Sequence, residues 1–445
     1  MRRLALPIFV VLAACSSSSS DDSANPIESG GSAGQTGSGS GGESSGTAGS
    51  GVTTGTSGGT GAGTGGMTGA AGHAGAGTAG SANPMDASAM IPVSDAGGAL
   101  SDASSPHYGD GGVVAVGATP PAQWVNVTAN LAGMASECGN TPYLTSHPAY
   151  DMLITSVAQH GLWSSIDGGT SWTQLWSTAG AKQITNRGSS IVFDPASANT
   201  FWESGIYNGP GVYKTTDNGM TFAALGDAHH IDSVSVDLSD PQRMTLLAGG
   251  HEQKNMVYRS ANGGGTWTNV GTNIPTGTNF CTNVLVIDKN VHMVGCSGYA
   301  GGTDGVFRTV DGGQTWSHTS AASAAALPLW ASDGTIYWSL IYDHGIIKST
   351  NQGNTWTQTV QFGVLKTGHP IELPDGRIVA AGNSTLMIST DKGVTFKGLG
   401  TAMPFVPNSI TYSPYRNAFY IEQFDCGNKV VANAISRFGF DYRTQ

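Results

Sequence analysis

Between residues 121 and 445 this chain carries a recurring set of side chains able to move protons or hold polar ligands. His229-His230-x-Asp232 is followed by His251-Glu252, and Arg187, Tyr207, Tyr299, Asp304, Asp343-His344 and His369 recur around them. Three chemistries fit these residue types. Two of the carboxylates Glu252, Asp304 and Asp343 would serve a glycosidase, one protonating the leaving oxygen while the other activates water or attacks the sugar. His229, His230, Asp232 and His251 offer imidazole and carboxylate donors suited to zinc or a similar divalent ion. Adjacent histidines on a strand point to opposite sides, so both rarely reach one ion; a divalent metal stays open and no cofactor is required. A His/Tyr pair beside Arg187 would abstract the α-proton of a uronic acid, which is lyase chemistry. A plainer role stands beside each of these. Loop acids cap turns, and Trp163, Trp202 and Trp330, which would stack on sugars, more often fill a core.

Such residues need a scaffold, and a repeat supplies it. Six segments share the pattern Ser/Thr-x-Asp/Asn-x-Gly-x-Thr/Ser-Trp/Phe at intervals of 40 to 50 residues: SIDGGTSW (165–172), TTDNGMTF (215–222), SANGGGTW (260–267), TVDGGQTW (309–316), STNQGNTW (349–356) and STDKGVTF (389–396). A period of this length marks a propeller or a solenoid. Asp167, Asp217, Asn262, Asp311, Asn351 and Asp391 would accept backbone N–H groups within a tight turn, while the glycine supplies a positive φ. Six similar copies cannot all be one active site, so these acids are structural.

Four short strands, A to D, surround each turn. In the second unit they read GSSIVFDP, NTFWESG, GVYKTT and, after the turn, TFAAL. The last unit, from 409 to 436, offers A, B and C but no turn motif and no D. The missing strand stands at the other end, where QWVNVT (123–128) mirrors TWTNVGT (266–272). The expected fold is all-β: a single β-propeller of seven four-stranded blades, the last closed by the N-terminal strand, with six and eight blades as alternatives. Closure removes the sheet edges that invite aggregation. In such a ring the D–A and B–C loops share one face. That face would gather Arg187, Tyr207, Asp232, Glu252, Tyr299, Asp304, Asp343 and six of the nine histidines of this region: His160, His229, His230, His251, His344 and His369. It is the expected ligand face.

The chain begins Met-Arg-Arg, then LALPIFVVLAA, then Cys15. Two arginines before a short apolar run make a secretory signal, too short to span a bilayer as an anchor. Leu12-Ala13-Ala14-Cys15 resembles the bacterial lipoprotein box, which implies lipidation at Cys15; Ser16 after it resembles an outer-membrane sorting signal. Residues 16–120 hold eight acids, no Lys or Arg and almost no aliphatic side chains. Such a stretch cannot offset its ordering entropy, so a disordered tether is expected, with a reach of roughly 50–60 Å. Of the net charge of −11, residues 121–445 contribute 22 acids against 17 bases. That mild imbalance, without a basic patch, argues against a nucleic-acid partner. Cys138, Cys281, Cys296 and Cys426 remain after Cys15. An even count in an exported chain predicts two disulfides. Cys281 and Cys296 flank two strands around Asp288-Lys289-Asn290, while Cys138 and Cys426 lie near the two ends of the folded region.

With its repeated turn, the region 122–440 resembles the Asp-box (BNR-repeat) propeller superfamily, which includes bacterial sialidases, xyloglucan-active glycosidases, sortilin-type receptors and photosystem II assembly factors. The motif is structural and shared by enzymes and binders alike. Sialidases carry an Arg within a Phe/Tyr-Arg-Ile-Pro motif near the propeller start. Here that motif is lacking and the first Arg of the region is Arg187, which disfavours sialidase activity. The second unit is closer in texture to xyloglucan-active enzymes. Where those place an acid in a Thr-Asp-Ile-Gly-Gly-like loop, it has Tyr207-Asn208-Gly209. The resemblance implies a monomeric surface propeller engaging a polysaccharide or glycoconjugate, as a glycoside hydrolase, as a non-catalytic binder of carbohydrate or protein, or as a polysaccharide lyase. Its only membrane contact would be the N-terminal lipid.

Overall fold

The repeated turns are built on one plan. In the first, Ser165 Oγ donates to Asp167 Oδ1 (2.8 Å), and Gly169 N donates to Ser165 Oγ (2.8 Å). The Asp167 carboxylate also accepts from Ser171 N (2.9 Å) and Ser171 Oγ (2.6 Å). The other five turns repeat this around Asp217, Asn262, Asp311, Asn351 and Asp391, except that Asn262 and Asn351 donate Nδ2–H to the Thr266 and Thr355 hydroxyls. Bonds from the Thr315 hydroxyl and N–H and the Thr309 hydroxyl hold the Asp311 carboxyl down to about 2, because they favour its ionised form. Gly169 has φ +88°, and a Cβ there would meet Val127 Cβ at 2.8 Å. The glycine serves the turn and the approach of the neighbouring blade together. The closing aromatic then reaches that neighbour, as when Trp172 Nε1 donates to the Val127 carbonyl at 2.9 Å and Trp316 Nε1 to the Val270 carbonyl at 3.2 Å.

This computed structural model describes residues 117–175, 184–297, 302–340, 345–359 and 368–444. Within them the strands form seven four-stranded antiparallel sheets, and no α-helix occurs among these residues. The innermost strands, in blade order, are Tyr143–Ser146, Arg187–Phe193, Ile231–Val236, Phe280–Val286, Leu329–Trp330, Ile371–Glu372 and Ser409–Ser413. Blade 7 is completed by Trp124–Asn126, whose residues pair with Phe438, Arg437 and Ser436. The fold is a seven-bladed β-propeller closed by its N-terminal strand, as the sequence predicts.

Serine and threonine side chains stitch the inner ring. Ser233 Oγ donates to the Thr282 carbonyl (2.7 Å) and accepts from Val284 N (3.0 Å); Ser409 Oγ accepts from Leu144 N (3.0 Å) across the closing seam. A cation just before several of the turns ties its blade to the next: Arg259 donates to the Lys289 carbonyl, Arg308 to that of Gln352 and Lys348 to that of Lys392. Both expected disulfides are present, Cys281–Cys296 directly opposite in register and Cys138–Cys426 beside the seam. Disulfides of this kind persist in oxidising compartments, which marks the protein as extracytoplasmic. Among the described residues no helix is long and apolar enough to cross a membrane. Cys15 and residues 16–116 of the expected tether lie outside the described residues.

Candidate functional site

The site is assembled where blades 2 and 3 meet the seam. Arg187 opens the inner strand of blade 2, and Tyr207 follows the end of the second strand, Phe201–Ile206. Asp232 lies on the inner strand of blade 3, and His251 follows its second strand, Leu246–Gly250. Strand pairing brings these four ends together. His251 Nδ1 lies 3.0 and 3.1 Å from the two Asp232 carboxylate oxygens, and His251 Nε2 lies 3.2 Å from the Tyr207 hydroxyl. The Arg187 guanidinium covers the Tyr207 ring at 4.9 Å and the Phe424 ring at 5.0 Å from its other neighbour, the seam.

The electrostatics are directional. Burial works to keep His251 neutral, but the charge and hydrogen bond of Asp232 outweigh it, so the imidazole pKa is raised, with Arg187 opposing and Glu252 assisting. His230 is pushed the other way, by burial and by the neighbouring His251 and His229. Arg187 is only 5 % exposed. Its Nη1 donates to the Cys138 carbonyl at 3.1 Å and meets Cys138 Sγ at the same distance, and among the described residues no carboxylate lies within ion-pair distance. A buried guanidinium ordinarily has an anionic partner.

The backbone here is held in an unusual state. Tyr207, His230 and Glu252 all have positive φ, at +64°, +54° and +48°. For side chains of this size such a conformation costs of order 1–3 kcal/mol each and concentrates at functional sites. His230 is fastened at both ends: its Nδ1 accepts from Tyr207 N (3.3 Å) and its carbonyl from His251 N (2.6 Å).

The remaining candidates sort around this centre. His229 Nδ1 lies 3.2 Å from the Gly209 carbonyl, and the exposed Glu252 carboxylate stands 4.0 Å from His251 Nε2. Asp304, one blade on, receives His318 at its backbone carbonyl (3.1 Å), so His318 joins the face from an outer strand. His369 stacks on Tyr143 with ring centroids 6.2 Å apart, and desolvation pushes it down to about 4. Tyr299, Asp343 and His344 lie outside the described residues. Around His229, His230, Asp232 and His251, and elsewhere among the described residues, no three metal-ligating side chains converge. His251 and Asp232 are bound to each other, while His229 and His230 each face a backbone group.

Of two further participants, Phe424 carries no sequence signal and Cys138 only that of a disulfide. Phe424 and Cys138 approach Arg187 only because the ring closes, from opposite ends of the chain. Gly139 makes room for them: with φ +98°, its Cβ would meet Arg187 Cδ at 2.8 Å and Phe424 Cε2 at 2.9 Å. A cavity of about 670 Å³ lies on the opposite face, lined by Asp237, Asp240, Arg259, Asp288 and Lys289 among others. Its aspartates are engaged by local turns: Asp237 accepts from Ser239, Asp240 from Met244, and Asp288 from Asn290.

Fold and site together define an extracytoplasmic β-propeller with an Asp–His–Tyr–Arg cluster on its D–A/B–C loop face. No protein-family model and no curated protein matches the chain. Among solved structures it is similar to the GH74 xyloglucanase from Xanthomonas campestris, at 17 % identity over 73 % of this chain and 55 % of that one, with a TM-score of 0.49. It is similar to the extracellular domain of a one-component system from B. thetaiotaomicron, at 11 % identity over 71 % of this chain and 40 % of that one, TM-score 0.49. YCF48 from Cyanidioschyzon merolae is similar at 14 % identity over 71 % of this chain and 98 % of that one, TM-score 0.46. The chain spans about half the length of the first two. At such identities no activity passes from these proteins to this one.

Proposed function

We propose that the protein engages an acidic polysaccharide on the face that carries Arg187, Tyr207 and His251, at the outside of a bacterial cell envelope to which lipid on Cys15 tethers it. One observation carries the reading: Arg187 is 5 % exposed and has no carboxylate partner among the described residues. Desolvating a charge without a counter-ion is costly, so an anionic group of the ligand is the natural partner, and guanidinium matches a carboxylate bidentately. Tyr207 and Phe424 flank the cation with flat faces suited to sugar rings. The repeated turns, read as Asp boxes, supply the scaffold and take no part in binding.

The test is a glycan array spanning uronate-containing, sulfated and neutral polysaccharides, followed by titration of the best ligand. Wild type is expected to select carboxylated chains, and Arg187→Ala to weaken them by about tenfold or more, as expected for a charge-assisted contact. Selection of neutral glycans, or equal affinity in Arg187→Ala, would refute it.

A further inference from the structure

We propose that the Asp232–His251–Tyr207 relay makes this face a β-eliminating centre, cleaving a 4-linked uronate in which H5 and O4 lie on the same side of the ring. This rests on the acidic-glycan reading above and adds a reaction to it. The geometry is a chain of three hydrogen-bonded groups ending at a half-buried phenol. Asp232 accepts from His251 Nδ1–H at 3.0 Å, which leaves Nε2 as the acceptor that faces the Tyr207 hydroxyl at 3.2 Å. A carboxylate that fixes the tautomer of an imidazole makes the other ring nitrogen a better base. Here that base acts on a phenol.

The carboxylate of a uronate seated on Arg187 would bring the sugar to the phenol, since the guanidinium lies 4.9 Å from the Tyr207 ring centroid. Pairing with a cation also lowers the cost of the negative charge that develops on the carboxylate when C5 loses its proton. Tyr207 passes its hydroxyl proton to His251 Nε2, and the phenolate oxygen then takes the proton from C5. The C5–H electron pair forms the C4=C5 double bond while the C4–O bond breaks. The leaving glycosidic oxygen keeps that bond's electron pair and takes the proton now on Tyr207. No water, oxidant or reductant is consumed.

His251 is 14 % exposed and held at both nitrogens, so within the proposed relay the Tyr207 oxygen is the atom that would meet the substrate. One oxygen serving both C5 and O4 requires those two groups to be syn. That selects 4-linked glucuronate or mannuronate over 4-linked galacturonate, where they are anti.

The experiment uses the full chain with glucuronate-, mannuronate- and galacturonate-containing polysaccharides, following the absorbance of the unsaturated uronate and, separately, binding by calorimetry. Wild type is expected to release unsaturated product from one of the first two. Tyr207→Phe, which keeps the ring under Arg187, is expected to bind within about twofold and to lose turnover by roughly a hundredfold or more. Thermal melting of each variant controls for folding. Binding by wild type without unsaturated product, turnover surviving in Tyr207→Phe, or cleavage confined to galacturonate would each overturn the elimination while leaving the acidic-glycan reading intact. Failure to bind any acidic polysaccharide removes both.

Discussion

Glu203 offers a perturbation whose size can be worked from the structure. It sits in the second strand of blade 2, fully buried, between Ile191 and Tyr213 on the flanking strands. Gly188, next to Arg187, packs against it: a Cβ there would lie 2.9 Å from Glu203 Oε1. Desolvation pushes the Glu203 carboxyl up to about 8, with Asn186 opposing weakly. The group is therefore protonated in the folded protein at pH 7 and ionised in the unfolded chain. Between the unfolded value near 4.5 and the folded value near 8 the native state binds the extra proton, so stability falls as pH rises through that window. At pH 7 the accumulated loss is about 3 kcal/mol, at 1.36 kcal/mol per unit. Glu203→Gln keeps the shape and removes the ionisation. It should raise the melting temperature at pH 7 by roughly 5 °C, given the 2–4 °C per kcal/mol of somewhat smaller domains, and match wild type near pH 4.5. Calorimetric melts from pH 4.5 to 8.5 test this. Glu422, equally buried on the second strand of blade 7 and raised for the same reason, leaves a residual slope of the same sign in the variant. An unchanged slope in Glu203→Gln, or a lower melting temperature at pH 7, would refute the assignment of a neutral buried carboxyl.

Four further outcomes follow from the structure. Gly139→Ala should weaken acidic-glycan binding severalfold in titration, because its Cβ would displace Arg187 and Phe424. Asp232→Asn should move the His251 imidazole titration to lower pH by NMR, since the aspartate charge and hydrogen bond are what raise it against burial; a shift upward would contradict the relay. Trp316→Ala should destabilise the fold by about 3–5 kcal/mol in denaturant melts, the range for deleting a buried indole, as it is 7 % exposed and bonded to the preceding blade. In contrast to Arg187→Ala, Asp311→Ala at a repeated turn should leave glycan affinity unchanged.

The propeller was legible from the chain because its determinants are local and recur. Ser165, Asp167, Gly169 and Ser171 bond to one another within seven residues, so the turn is written in consecutive letters, and the 40- to 50-residue spacing repeats it. The closing strand was legible for the same reason: Trp124-Val125-Asn126 copies a strand found elsewhere in the repeat. The face that gathers His229, His230, Asp232 and His251 followed from loop order alone, yet which of them touch did not.

Tertiary structure decided the rest. Asp232, His251, Tyr207 and Arg187 meet through loops 19 to 44 residues apart, set by how blade 2 leans on blade 3, and the Cys138–Phe424 side of the site exists only once the ring is shut. Glu203 escaped notice for a related reason. In an open sheet, alternation separates a wet face from a dry one. In a propeller both faces of a blade are covered by neighbours, so all six residues of Phe201–Ile206 are buried, and a strand's own pattern no longer tells which side chain meets water.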